Sequence, residues 1–151
     1  MKSPDEVQQG YIDRLNAAGG AFEQFDLLLN ISAELDELPP ERMLPEALVE
    51  GCQSQVWLWP RWECGEGRGF ALEGDSDTLM VRGVIRIFQQ MFSGCSASEI
   101  LTCPVRFLEE TELAYVFHPQ RQAGVAAIAG VIRGFASEAL NAHGEEGRSK
   151  E

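Results

Sequence analysis

The apolar positions of this chain first recur at helical spacing. Val7, Tyr11, Ile12 and Leu15 predict a helix over residues 5–18, interrupted by Gly19-Gly20. Phe22, Phe25, Leu28, Leu29, Ser32 and Leu35 share one face of a second, stronger helix, expected over residues 22–38. Pro39-Pro40 ends it, because proline lacks an amide hydrogen and turns the preceding residue away from α geometry. Residues 41–50, with another proline at Pro45, read as loop.

The period then changes. Val56-Trp57-Leu58-Trp59 is a β-branched and aromatic run, a short strand expected to close at Pro60. Gly65, Gly67 and Gly69 mark a connection, and Phe70 and Leu72 alternate with small or polar neighbours in a second strand, paired as a hairpin. A third strand is expected around Leu48-Val49. Gly74-Asp75-Ser76-Asp77 reads as a helix start, since Asp and Ser side chains accept hydrogen bonds from free first-turn amides.

The helix that follows, to Phe92, is apolar on most sides, from Leu79 and Val81 through Ile85 and Phe88 to Met91, and belongs in the middle of the fold. Ser93-Gly94 stops it. Ser96 and Glu99 form a capping box for a short helix through Leu101, and another helix is expected after Pro104. The last long helix starts near Pro119 and carries Val125, Ile128, Ile132, Phe135 and Ala139 on its apolar face. This order predicts an α+β domain: a small antiparallel sheet of about three strands covered by helices. One domain is expected over residues 1–140, followed by a flexible polar tail over 141–151.

Composition changes this picture little. The chain has 151 residues, of which 44% are hydrophobic and 24% charged, enough to bury a core without disulfides. Charge is more informative. With 24 acidic against 12 basic residues the net charge is −12, which repels phosphate backbones and anionic membrane surfaces and argues against both as partners. The acidity serves either solubility or steering toward a basic protein patch. No run approaches the roughly 20 apolar residues of a membrane span, and the acidic start lacks the apolar core of a signal peptide. The expected location is therefore the cytoplasm, with Cys52, Cys64, Cys95 and Cys103 as free thiols.

Of these four, Cys52 is the most suggestive. It lies between a loop and a strand in Gly51-Cys52-Gln53-Ser54-Gln55-Val56-Trp57, and the preceding glycine permits a tight turn and close approach. Such a cysteine is either a presented thiol or a small buried hydrophobe, and local sequence leaves both open. Cys64 sits in the glycine-rich connection and should be exposed, whereas Cys95 and Cys103 flank a short helix and read as packing residues. No cysteine pair has the two-to-four-residue gap of a zinc site, so no metal is expected, and the same missing pair disfavours a Cys-x-x-Cys oxidoreductase. A cysteine hydrolase needs a histidine base, yet His143 falls in the tail and His118 precedes Pro119 as a helix-capping residue. Phosphate-loop and dinucleotide fingerprints are missing.

Three ordered blocks then carry a family likeness. Gly51-Cys52-Gln53-Ser54-Gln55-Val56-Trp57-Leu58 resembles the active-loop signature of the SufE/CsdE sulfur-acceptor family. Gly74-Asp75-Ser76-Asp77 with Val81-Arg82-Gly83-Val84-Ile85 resembles its second block, and Pro119-Gln120-Arg121 with Gly124 its third. The likeness covers residues 22–140. It implies a fold like that of the iron–sulfur scaffolds and a persulfide-forming Cys52, with Gly51, Gln53 and Ser54 in the active loop and Asp77 and Arg121 in support. It further implies an accessory protein without a cofactor of its own, partnered by a group II cysteine desulfurase that carries pyridoxal phosphate and by a downstream sulfur acceptor or iron–sulfur scaffold. The rival readings are an iron–sulfur scaffold and a desulfurase partner that accepts no sulfur. His118, Gln120 and Ala123 depart from the family's third block, which leaves the role of Arg121 less defined than that of Cys52.

Overall fold

A helix apolar on most sides has to be surrounded, and α3, Leu79–Phe92, is: Val84, Ile85, Ile87 and Phe88 are fully buried in the computed structural model. The structure describes the backbone of residues 2–149 and the side chains of residues 2–142. Around α3 lie α1, Pro4–Ala18, and α2, Ala21–Ser32, together with the sheet. Gly83 permits the contact with α2, since a Cβ there would fall 2.7 Å from the Leu28 carbonyl oxygen.

Helix α2 stops at Ser32 rather than running to Leu38. A tertiary tie overrides the helical periodicity there. The amide of Leu38 donates to Asp75 Oδ2 at 2.9 Å, and Arg82 Nη2 donates to the Leu35 carbonyl at 2.8 Å, so the chain after α2 is bound to the sheet and to α3. Arg82 also pairs with Asp75, both nearly enclosed. Asp75 and Ser76 therefore do not start a helix as expected. They are the end of strand β2, Phe70–Ser76, and α3 begins only after Thr78.

Strand β1, Val56–Trp62, pairs antiparallel with β2, from Val56 opposite Ser76 to Trp62 opposite Phe70. It runs through Pro60 instead of closing there. Val56 accepts from the Val49 amide on the outer side, whereas the Glu63 amide donates to Gly69 on the β2 side. Even-numbered residues of β1 thus turn their amide nitrogens away from β2, where a proline costs no ladder bond. The third strand is reduced to one bridge, Leu48 opposite Trp57, so among the described residues the sheet proper has two strands.

The capping box of Ser96 and Glu99 opens α4, Ala97–Thr102. No helix follows Pro104 directly; α5 is a single turn, Leu113–Val116. Buried Gln8 acts there as a surrogate backbone, donating to Pro104 O at 2.8 Å and accepting from the amides of Arg106 and Phe107. Helix α6, Pro119–Ser149, buries Val125, Ile128, Ile132, Ala136 and Ala139, while Phe135 lies partly exposed and stacks on Trp62 with ring centroids 5.1 Å apart. By length and composition its segment Pro119–Ala142 would suit a membrane span, contrary to the sequence expectation, yet one face of it completes the core. The backbone of α6 continues into the segment expected as a tail; the side chains beyond residue 142, His143 included, lie outside the described residues, as do residues 150 and 151 altogether.

Candidate functional site around Cys52

The loop before β1 owes its path to Gly51, whose φ of +88° lies in the left-handed region that favours glycine. The turn directs the half-buried Cys52 side chain at the first turns of α6. Its thiol donates to the carbonyl of buried Gly124, Sγ to O 3.5 Å, between walls that include Val56, Val81, Val125 and Ile128. The free space beside the sulfur is only about 10 Å³, room for about one water molecule. Burial pushes the thiol pKa above its ordinary 9.0. In this closed arrangement Cys52 is therefore a protonated, shielded thiol rather than a nucleophile.

Polar side chains anchor the loop on the far side of Cys52. Asp77 Oδ1 accepts from the Gln55 amide at 3.1 Å, the Asp77 amide donates to Gln55 O at 3.3 Å, and Ser76 Oγ donates to the same oxygen at 2.8 Å. Arg121 Nη1 donates to Ser54 Oγ. Thr78 Oγ1 lies 2.8 Å from Ser54 Oγ and 3.2 Å from Asp77 Oδ1. A hydroxyl has one proton to give. With Thr78 donating to the Asp77 carboxylate and Ser54 donating to Thr78, the chain runs from the Arg121 cation through two hydroxyls to an anion, each bond polarising the next.

Of the residues singled out from sequence, Cys52, Gln53, Ser54 and Arg121 line one pocket, and Gly51 shapes its entry. Asp77 is not part of that lining and holds Gln55 instead. Asp77 and Arg121 thus position the loop, and burial alone sets the Cys52 shift.

Two contributors escaped sequence reasoning. Gly124 supplies the carbonyl that meets the thiol, and its only signal was its place in the third block. Thr78 precedes α3 in the N-cap position, yet its side chain makes no cap bond to α3 and serves the loop. Its signal was position alone, directly after Asp77.

The other thiols are placed apart. Cys64 is exposed in the hairpin connection, whereas Cys95 and Cys103 are buried. Burial, with smaller contributions from the charges of Glu99 and Cys103, pushes Cys95 up to about 11. His118 uses its backbone carbonyl to accept from the amides of Arg121 and Gln122 at the start of α6. Among the described residues, no three of His, Cys, Asp and Glu converge as metal ligands would.

The model of the family described as SufE, Fe-S metabolism associated domain, matches residues 9–136. The fold is similar to that of a hypothetical protein from Thermus thermophilus solved in solution, with a TM-score of 0.71 and 20% identity. That likeness covers 93% of this chain and 99% of the other, and extends to the fold alone.

Proposed function

Because the chain belongs to the SufE family of iron–sulfur-metabolism-associated domains, we propose that Cys52 accepts sulfur from the persulfide of a group II cysteine desulfurase. The chain thereby stimulates the desulfurase and relays the sulfur to a downstream acceptor or iron–sulfur scaffold in the cytoplasm. On this reading it is an accessory protein rather than an enzyme, and the pyridoxal phosphate stays with its partner.

The observation that carries the reading is the setting of Cys52: a thiol shielded against α6, on a loop that turns at a glycine and is anchored by side chains. The step is thiol–persulfide exchange. The Cys52 thiolate attacks the outer sulfur of the partner's R–S–SH group. A new S–S bond forms to Cys52, the partner's S–S bond breaks, and R–S⁻ leaves with the electron pair. Cys52 ends as the persulfide, and no external oxidant or reductant enters.

Only a thiolate performs this attack, and the closed pocket disfavours one. Docking therefore has to bring the loop out of the pocket, which breaks the Cys52–Gly124 contact and the Arg121–Ser54 tether. Return to the pocket shields the new persulfide from oxidation and stray exchange.

Incubation with a group II desulfurase and cysteine, followed by mass spectrometry, tests the assignment. One added sulfur is expected on Cys52 and none on Cys52→Ser. Stimulation of the desulfurase without that adduct would leave a binding partner that accepts no sulfur.

A further inference from the structure

A cavity of about 410 Å³, within the range of small-molecule sites, opens between the segment after α2, the hairpin and the second half of α3. It shares no lining residue with the Cys52 pocket. Its α3 wall carries Arg86, Gln89 and Gln90, and the segment after α2 contributes Asp36 and Glu37. On the hairpin wall Arg61 and Glu73 satisfy one another, with Nη1 to Oε1 at 2.6 Å.

Arg86 is differently placed. Acidic residues outnumber basic ones by 24 to 12, yet among the described residues Arg86 forms no ion pair. Neutral amides surround its guanidinium. Nη1 donates to Gln89 Oε1 at 2.7 Å, and Gln90, with its amide oxygen turned inward, accepts from Nη1 at 3.0 Å and Nη2 at 3.3 Å. Gln89 is itself pinned, Nε2 donating to Leu72 O at 2.7 Å. These amides orient the cation without neutralising it. Arg86 Nε, among the described side chains the buried polar atom with no partner, is enclosed by protein, so a ligand in the cavity would meet Nη1 and Nη2. Asp36 and Glu37 are exposed and, among the described residues, pair with no base. Uncompensated charges of opposite sign border one polar space.

We propose that this cavity binds a small zwitterion, a free α-amino acid, with its carboxylate on Arg86 and its ammonium toward Asp36 and Glu37. A guanidinium receives a carboxylate through two donors, and a ligand carboxylate would displace the Gln90 amide oxygen from its place on Nη1 and Nη2. An ammonium has three donors for the two acidic side chains. An inorganic anion would satisfy Arg86 but face like charge on the other wall, and a simple amine would meet the reverse mismatch. This site stands independently of sulfur transfer at Cys52.

Titration of the full chain by NMR, following backbone and Gln side-chain amides, tests it with L-alanine, propionate, L-alaninamide and inorganic phosphate. Saturable shifts centred on Gln89 and Gln90 are expected with L-alanine. Propionate, L-alaninamide and phosphate should each bind at least about tenfold more weakly. Arg86→Gln should abolish L-alanine binding. Asp36→Asn combined with Glu37→Gln, both at exposed positions, should weaken L-alanine about tenfold and tighten propionate, since it removes the like charge that propionate faces. Three results overturn the proposal: shifts that do not saturate with L-alanine, binding of propionate or phosphate as tight as that of L-alanine, or an acidic double variant with unchanged affinity.

Discussion

The Cys52 thiol rests 3.5 Å from the carbonyl oxygen of Gly124, so the candidate reactive atom is held by the backbone of α6 across 72 residues of chain. A Cβ at position 124 would lie 3.5 Å from Sγ, an ordinary contact. Gly124→Ala should therefore keep the loop closed, with thiol-labelling rates within about twofold of the parent, since the added methyl creates no overlap. Gly124→Leu has no room and should expel the loop, raising the labelling rate at neutral pH and moving its pH midpoint down toward that of a free thiol. Equal rates for parent and Gly124→Leu would mean that the contact does not shield the thiol.

The Arg121–Ser54–Thr78–Asp77 chain is expected to set how readily the loop opens. Loss of one charge-assisted hydrogen bond in Arg121→Gln should raise Cys52 labelling about tenfold, equivalent to about 1.4 kcal/mol. Thr78→Val should act in the same direction and Thr78→Ser should restore the slow rate. Because Thr78 makes no cap bond to α3, the Tm of Thr78→Val should change little. A large loss of Tm without faster labelling would assign Thr78 to the fold instead.

The Arg82–Asp75 pair is a clamp for the whole segment after α2. Asp75→Ala strips partners from the Arg82 cation and from the Leu38 amide at once. Breaking one side of a buried pair costs about 3–5 kcal/mol. Denaturant unfolding should show a loss of that size, whereas a loss under about 1 kcal/mol, as for exposed pairs, would show the clamp to be solvated.

Buried Cys95 gives the fold a specific alkaline limit. Its thiol is raised from 9.0 to about 11 in the folded state, so between these values the folded chain binds more protons than the unfolded one. Stability is then fully present below pH 9 and falls as pH rises toward 11, by up to about 1.4 kcal/mol per pH unit. Cys95→Ala should be less stable at neutral pH, through the cavity it leaves, yet show a shallower decline of Tm over this window. Parallel declines would place the alkaline sensitivity elsewhere.

Much of this was written locally. Apolar residues at helical spacing determined α1, the central α3 and the core face of α6, because a 3.6-residue period buries one stripe wherever the helix packs. The capping box determined the start of α4, since the Ser96 and Glu99 side chains each bond the other's backbone amide. The Gly51-Cys52 turn and its companion blocks identified the thiol worth examining. Long-range contacts decided the rest. Asp75 reads locally as a helix cap and became a strand residue because Arg82 and the Leu38 amide needed its carboxylate. Pro60 reads as a strand end and stayed in the strand because its missing amide hydrogen faces the outer edge. Thr78 left its helix uncapped to hold Ser54, and Gly124 met Cys52 only when α6 docked. A short-range pattern records what a residue does for its own segment. What a side chain does for a segment dozens of residues away is set by packing, which no local period encodes.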